Sequence, residues 1–249
     1  MNELPNQIVN YVWINKVKFP QDNTGDSNKL CGVPLHYLDK TIHNAKRYPH
    51  AQFNIWIDWR YLDQSSRFWV DSYIYSQNCS NINACDLVNI PSYSCEDNFS
   101  PNRGKDIWAR VDYARLLVLQ HVLNHNRWSQ VFYRDFDAND VEILKPKVQK
   151  ALSEYSMVIG TTDCNYFENS FFGINVNCLS DINALVSMTK EHFKLGKDGY
   201  DALGDFLTIY NLFPSVYETD LPYNAVKIMP VSKIGSISPK NLHTKLNLC

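Results

Sequence analysis

The sequence predicts an α/β fold in which a parallel sheet is flanked by helices. An apolar, β-rich run over residues 7–15 is followed by a helical pattern over residues 34–48 and by a second strand-like run over residues 53–58. Strand, helix and strand in this order are typical of a parallel sheet. The 249 residues contain no internal repeat, low-complexity tract or convincing linker, so we expect one domain over residues 1–249.

Composition and charge exclude several classes of protein. The chain is 45% hydrophobic and 20% charged, and its net charge of −2 argues against a basic surface for nucleic acid. The first residues lack the basic and apolar regions of a signal peptide, and no segment approaches the ~20 apolar residues that a membrane span needs. We therefore expect a cytoplasmic protein that binds no nucleic acid and has no transmembrane segment, with a secreted effector that acts in another cell as the second option.

The cysteines favour a reducing compartment. There are seven, an odd number, and no two of them have CxxC spacing. Reduced thiols are the expected state of such a set. A zinc site formed by Cys79, Cys85 and Cys95 is the alternative.

The first half of the chain continues the alternation of strands and helices. The helix over residues 34–48 has apolar residues at helical spacing and ends before a proline. A second helix is expected over residues 63–75, with Phe68 and Trp69 as apolar members. Residues 19–32 predict a loop, and residues 76–106 predict a short strand at 86–90 within a long loop.

The second half opens with the clearest helix, over residues 107–126, where apolar residues recur at i, i+3 and i+4. A turn and an apolar strand over residues 131–133 follow. The remaining predicted elements are a polar surface helix over residues 141–155, strands over 157–160 and 226–231, a polar loop at 168–170, and helices over 180–195 and 199–212.

Two carboxylates, Asp135 and Asp137, follow the strand of residues 131–133 with one residue between them. Because successive side chains of a strand point to opposite faces, these two should point the same way. Carboxylates aimed together repel unless a cation lies between them, which predicts a site for Mg²⁺, Mn²⁺ or Ca²⁺. The alternative is a turn at the strand end, where Asp and Asn are common.

Other candidate residues lie on the elements around this strand. Trp13 ends the first strand, where ligands of open α/β sheets bind, so it is a candidate to stack on a base or sugar; a core tryptophan is the alternative. Asp112 and Arg115 are i, i+3 neighbours on the preceding helix, and a surface ion pair is the alternative. Glu168 lies among aromatic residues, where burial would shift its pKa; a loop rim is the alternative.

Taken in order, five segments resemble the GT-A glycosyltransferases that carry a DXD sugar-binding motif. The similarity is to the α-mannosyltransferase-like family of yeast outer-chain enzymes and to the large clostridial glucosylating toxins. The segments span residues 8–14, 48–58, 108–116, 131–137 and 168–172. A weaker sixth match, residues 204–208, resembles the acceptor-side segment and makes Asp205 a candidate catalytic residue. Two features depart from the family: residues 126–129 replace a usual Gly-Gly, and the C-terminal metal ligand is matched only by the candidates Asn241 and His243.

The resemblance implies a GT-A (Rossmann-like) fold with a mixed, mainly parallel sheet flanked by helices. It also implies a metal-dependent hexosyltransferase that uses Mn²⁺ or Mg²⁺ and a nucleotide-sugar donor, with UDP-sugars favoured over GDP-sugars, and that retains the anomeric configuration. The acceptor implied is a glycan, a lipid or a protein.

The same resemblance implies a role for each candidate residue. Asp137 would bind the metal, Asp135 would contact the ribose or the metal, and His243 would be a further ligand. Trp13 would stack on the base. The residues implied at the donor sugar or acceptor are Asp112, Arg115, Glu168, Asn169 and Asp205.

Two other classes of function remain open on the sequence. One is a non-catalytic module on a GT-A scaffold that binds a nucleotide-sugar or a glycan, and the two departures from the family favour it. The other is a metal-dependent nuclease or phosphatase built on paired carboxylates, which the N-terminal tryptophan strand does not support.

Overall fold

The computed structural model describes residues 6–15, 29–30, 32–62, 64–94, 107–125, 127–137, 144, 148–150, 152, 155–161, 167–197, 199–209, 216–218 and 225–230. The strands over these residues are β1 Gln7–Trp13, β2 Lys29–Leu30, β3 Val33–Pro34, β4 Ala51–Ile57, β5 Ile82–Asp86, β6 Gln130–Arg134, β7 Tyr155–Thr161, β8 Phe167–Asn175, β9 Val216–Glu218 and β10 Ala225–Pro230. The helices are α1 Leu35–Arg47, α2 Gln64–Ser76, α3 Pro91–Ser94, α4 Ile107–Asn124, α5 Leu179–Lys194 and α6 Gly199–Ile209.

Within the described ranges, eight strands form one mixed sheet in the order β5-β4-β1-β6-β8-β7-β10-β9. Strands β5, β4, β1 and β6 pair in parallel, and the remaining neighbours pair antiparallel. Six of these strands therefore run in one direction, and β8 and β10 run in the other. The predicted α/β fold with a mixed, mainly parallel sheet flanked by helices is confirmed.

Both faces of the sheet are covered, which explains why its strands are nearly continuous apolar runs. On β1, Ile8 and Val12 face the side packed by α4 and α5, whereas Val9 and Tyr11 face the side packed by α1 and α2. All four side chains are buried. Burying one such side chain stabilises the fold by about 1.5–3 kcal/mol, so the alternation along β1 determines which helices lie on each face.

The structure corrects the expected packing of α2. Its buried side chains are Ser66, Val70 and Ile74, which are four residues apart and face the sheet. Phe68 and Trp69, the predicted apolar members, are instead exposed. The helix itself is confirmed, but the side that faces the sheet does not include Phe68 or Trp69.

Two other predictions of local structure were wrong. The strand expected at residues 86–90 is β5, which ends at Asp86, because the Asp86 carboxylate accepts a hydrogen bond from the Val88 amide (3.0 Å) and starts a short 3₁₀ helix. The polar loop expected at residues 168–170 belongs to β8, because β6 and β7 both pair with this segment. Pairing across the sheet overrides the local preference of Asn and Ser for loops.

Most of the polar surface helix expected over residues 141–155 lies outside the described residues. Leu144, Val148 and Leu152 within it are described, and all three are buried on the α1 and α2 side of the sheet. At least this part of the segment is therefore core rather than surface. In the part of the chain that the structure describes, no helix is long and apolar enough to cross a membrane.

Candidate active site

The candidate site lies at the carboxyl ends of β1 and β6. The chain passes from β1 to β4 and β5 on one side of the sheet and returns to β6 on the other side of β1. Strands β1 and β6 therefore flank a topological switch point, where ligands bind in open α/β sheets. Trp13 is the last residue of β1, and Asp135 comes directly after the last residue of β6.

Arg115 joins three of the predicted residues. Its Nη2 atom lies 2.9 Å from Asp112 Oδ1, and its Nη1 atom lies 3.6 Å from Asp135 Oδ1. Nη1 also donates to the Asn169 carbonyl oxygen, and the guanidinium lies over the Tyr133 ring, 5.2 Å from its centroid. Only 5% of the Arg115 side chain is exposed. A buried guanidinium with partners on α4, β6 and β8 holds these elements in register, because leaving it unpaired would be costly.

Asp112 is held from two further directions. The Asn169 side-chain amide donates to Asp112 Oδ1 over 3.0 Å. On another side, the first residue of α6, Gly199, lies so close that a Cβ atom there would be 2.6 Å from Asp112 Cβ. Glycine permits this close approach. The positive end of the α6 dipole also favours a carboxylate at this position.

Asp135 is oriented by the strand that precedes it. The Tyr133 hydroxyl donates to Asp135 Oδ1 over 2.6 Å, and the Asp135 amide donates to the Ser170 carbonyl oxygen over 2.9 Å. Burial, more than the neighbouring charges, raises the pKa of Tyr133 well above its ordinary value. The hydroxyl therefore stays protonated and remains a donor to Asp135 at neutral pH.

Asp137 has a different environment. Strand β6 ends before Asp135, and Phe136 and Asp137 lie in a turn. Phe136 is buried while Asp135 is partly exposed and Asp137 is exposed. Burial and the charge of Asp137 raise the pKa of Tyr37 on α1. Asp135 thus lies beside α4, whereas the charge of Asp137 acts on Tyr37 of α1, which packs on the other side of the sheet.

Trp13 is partly buried at the end of β1. Its indole Nε1 donates to Asn15 Oδ1 and to the Gly32 carbonyl oxygen, both at 3.1 Å. Its ring lies 6.3 Å from Tyr37 and 6.1 Å from Phe136 between centroids. The tryptophan therefore belongs to an aromatic cluster beside Asp137.

The other predicted residues are less closely connected to Arg115. Asp205 Oδ2 lies 3.2 Å from His192 Nε2 and 3.8 Å from Lys197 Nζ, so these contacts link α6 to the last turn of α5 and the residues that follow it. Glu168 lies in β8, but its side chain is outside the described part of the structure. Asn241 and His243 also lie outside the described residues.

The described residues could bind a metal ion only if substrate phosphate and water supplied most of its ligands. Among them, no three His, Cys, Asp or Glu side chains gather closely enough to hold an ion. Mg²⁺-like ions need only one or two protein carboxylates when phosphate and water complete the shell. The exposed Asp137 is the described carboxylate that could meet this smaller requirement, while Asp135 is oriented by Tyr133 and lies near Arg115.

The alternative zinc site at the cysteines has weak support. Cys79 and Cys85 are free, and Cys95 lies outside the described residues. Burial, with smaller contributions from Asp71 and Asp86, raises the pKa of Cys85 to about 11. Zinc binds the thiolate, which such an environment disfavours.

Sequence reasoning missed three residues at this edge of the sheet. Tyr133 precedes Asp135 by two positions, so the period of a strand gives the signal that both lie on one face. Asp58 follows β4 as Asp135 follows β6, and its amide donates to the Trp13 carbonyl oxygen over 3.1 Å. The contact between Gly199 and Asp112 has no local sequence signal.

No protein-family model matches this chain, and no curated protein matches it. Solved structures with a similar fold include one described as PaToxG glycosyltransferase, which is 15% identical, with 82% of this chain and 69% of that chain covered and a TM-score of 0.48. A transferase variant with two cysteine-to-serine substitutions is 13% identical, with coverages of 87% and 88% and a TM-score of 0.49. Another transferase is 16% identical, with coverages of 93% and 95% and a TM-score of 0.45. Similarity at this level does not by itself assign an activity.

Proposed function

We propose that this chain is a GT-A-like glycosyltransferase that moves a sugar from a nucleotide-sugar donor to an acceptor. The observation that carries the proposal is the cluster in which Arg115 joins Asp112, Asn169 and Asp135 at the switch point of the sheet. The cluster combines a carboxylate, an amide and a guanidinium, which together supply hydrogen-bond donors and acceptors for sugar hydroxyls.

The cluster is suited to hold a sugar in one orientation. Asp112 Oδ1 is bound by Arg115 Nη2 at 2.9 Å and by Asn169 Nδ2 at 3.0 Å, so the carboxylate cannot rotate freely. Groups fixed by their neighbours position a substrate better than mobile ones. In this proposal Asp112 and Asn169 contact the donor sugar, Arg115 orients them, and Glu168 lies near the anomeric carbon.

The charges at the site favour a divalent cation. Asp112 and Asp135 share the Arg115 guanidinium, at 2.9 Å and 3.6 Å, and Asp137 is exposed two residues after Asp135. A diphosphate would add more negative charge, so a cation is needed to hold it. In this proposal Asp137 binds Mn²⁺ or Mg²⁺, Asp135 contacts the ribose or the metal, and the ion would neutralise charge on the diphosphate leaving group.

The finer assignments rest on the resemblance of the sequence segments. In the proposal Trp13 stacks on the base, UDP-sugars are preferred to GDP-sugars, and the reaction retains the anomeric configuration. His243 is the first candidate for a further metal ligand, and Asp205 is the candidate on the acceptor side. The proton NMR spectrum of the first product formed tests retention directly.

The experiment that tests the proposal is calorimetric titration of UDP- and GDP-sugars with and without Mn²⁺. We expect Mn²⁺-dependent binding by the wild type and its loss in Asp137→Ala. Asp71→Ala is the matched control, because Asp71 is an exposed aspartate on α2. The proposal is contradicted if no nucleotide-sugar binds, or if binding is unchanged both by removing Mn²⁺ and by Asp137→Ala.

A non-catalytic module that binds a nucleotide-sugar is the second candidate. The observation in its favour is that the described residues supply no third metal ligand. The two candidates differ in turnover: a transferase slowly hydrolyses its donor in the absence of acceptor, whereas a binding module leaves it intact. Release of the free sugar in the presence of Mn²⁺ therefore decides between them.

A further inference from the structure

Trp108 is the most exposed of the six tryptophans. It lies in the first turn of α4, and 71% of its surface is accessible, against 50% for Trp69, the next most exposed. Tryptophan buries more apolar area than other residues when it is packed, so such exposure gives up a large stabilisation. Single exposed apolar residues are common on protein surfaces, so exposure alone does not indicate a binding site and the position of Trp108 matters more.

Helical spacing places Trp108 on the face of α4 that meets the site. Trp108, Asp112 and Arg115 are at positions i, i+4 and i+7, which lie on one side of a helix. Arg115 reaches Asp135 and Asn169 from this side, and Asp112 accepts from Asn169. The face that carries Trp108 is therefore the face that carries the proposed sugar-binding groups.

The direction of α4 places Trp108 outside the sheet edge. The helix leads through residues 127–129 to the start of β6, where the Ser129 amide donates to the Asn6 carbonyl oxygen beside the start of β1. The C-terminal end of α4 is thus at the amino ends of these strands, and its first turn is at the carboxyl ends. At 1.5 Å per residue, Trp108 lies about 6 Å farther along the helix axis than Asp112.

An exposed tryptophan on the same helix face as a polar cluster matches the chemistry of a saccharide. A sugar ring has an apolar face of C–H groups that packs on an aromatic ring, and hydroxyls that bond to carboxylate, amide and guanidinium groups. Trp13 occupies the end of β1, so Trp108 supplies a separate aromatic surface on α4.

We propose that Trp108 is the platform on which a saccharide acceptor stacks, and that the acceptor of this enzyme is therefore a glycan rather than a lipid or a protein. The inference rests on the proposed transferase function for the reaction, but not for the binding of the saccharide itself. A bound acceptor would lie with one ring face on Trp108 and its nucleophilic hydroxyl toward Asp112.

The test compares Trp108→Ala, Trp108→Leu and Trp108→Phe with the wild type. Saccharide binding is measured by saturation-transfer NMR on a panel of maltose, cellobiose, lactose and methyl α-mannoside, and transfer to the same sugars is measured with donor and Mn²⁺. For a stacked ring we expect the dissociation constant and the acceptor KM to rise roughly threefold to tenfold in the Ala and Leu variants. The Phe variant should restore most of the affinity, because it keeps an aromatic face.

Trp69→Ala is the matched control, since it removes an exposed tryptophan from α2, and it should bind saccharides as the wild type does. The inference is overturned if no sugar of the panel binds, if Trp108→Ala binds as the wild type does, or if Leu replaces Trp108 as well as Phe does. Transfer only to protein or lipid probes also overturns it. Failure of the proposed function appears separately, as absence of donor binding and hydrolysis while saccharide binding at Trp108 persists.

Discussion

Gly199 and Asp112 touch so closely that a methyl group on Gly199 would lie 2.6 Å from the Asp112 Cβ atom and 3.2 Å from its Oδ2 atom. Contacts of this length force atoms to move, so Gly199→Ala should displace either Asp112 or the first turn of α6. A displacement of about 1 Å at a substrate-positioning group can lower turnover by as much as ~100-fold. We expect at least a tenfold loss of donor hydrolysis, measured by release of the free sugar.

A double-mutant cycle shows whether Gly199 acts through Asp112. If it does, Gly199→Ala costs much less activity in an Asp112→Asn background than in the wild type. An effect confined to the first turn of α6 would change only the melting temperature and leave hydrolysis unchanged, which contradicts the prediction.

Asn169→Asp should place a second carboxylate against Asp112. The Asn169 amide donates to Asp112 Oδ1 over 3.0 Å, and a carboxylate there cannot donate unless it is protonated. Two carboxylates at this distance share a proton at low pH. We expect weaker donor binding at pH 8 and partial recovery near pH 5.5, measured by calorimetry. The same change at the exposed Asn83 of β5 is the control; equal loss at both pH values would count against the proposed geometry.

Tyr133→Phe should lower the free energy of unfolding at neutral pH. It should also make that free energy fall less steeply as the pH rises above about 10. The lost hydrogen bond has a carboxylate as its acceptor, and such bonds are worth about 1.5–3 kcal/mol. Because burial raises the folded-state pKa of Tyr133, the unfolded chain ionises first, near its ordinary value of about 10. This contribution to stability is complete below pH 10 and is lost as the pH rises through the folded-state pKa.

Urea denaturation of the wild type and Tyr133→Phe between pH 8 and pH 11.5 measures this difference. The gap between their free energies of unfolding should narrow above pH 10. Tyr93, whose pKa is also raised by burial and by the charge of Asp58, should leave part of the alkaline decrease in both proteins. A gap that stays constant to pH 11.5 would show that the Tyr133 hydroxyl is not buried against Asp135.

Asp58→Ala should be strongly destabilising. The Asp58 carboxylate is fully buried and accepts from Arg60 Nε at 2.9 Å, Arg60 Nη2 at 2.7 Å and the Tyr93 hydroxyl at 2.6 Å. Without it the buried Tyr93 hydroxyl loses its acceptor, at a cost of about 1.5–3 kcal/mol for a hydrogen bond to a charged group. Urea denaturation measures the change, with Asp71→Ala as an exposed control; equal stabilities of the two variants would refute the prediction.

The alternating strands and helices of the first half were predictable because their signals are local. Strand β1 and strand β4 are apolar runs buried on both faces, and α1 has Leu38, Ile42 and Ala45 at helical spacing, all of them buried. Apolar periodicity of this kind depends only on neighbours in sequence. It determined these elements to within a few residues.

The polar residues of β8 were not predictable in this way. Asn169 and Ser170 prefer loops, and they become part of a strand because β6 and β7 lie beside them. The same holds for the burial of Asp58, which depends on Arg60 and on Tyr93, 35 residues away. Contacts between distant segments leave no periodic signal in the sequence.

The sequence by itself determined that Asp135 and Asp137 follow a buried strand with one residue between them, and that Asp112 and Arg115 lie on the helix before it. Only the tertiary structure decided that the two strand-end carboxylates differ. Asp135 is held by Tyr133 and lies near Arg115, whereas Asp137 is exposed and near Tyr37. The reason is that β6 ends at Arg134 and a turn follows at Phe136 and Asp137. The strand alternation that would point both carboxylates the same way therefore does not hold, and with α4 and α1 on opposite faces of the sheet the two residues meet different partners.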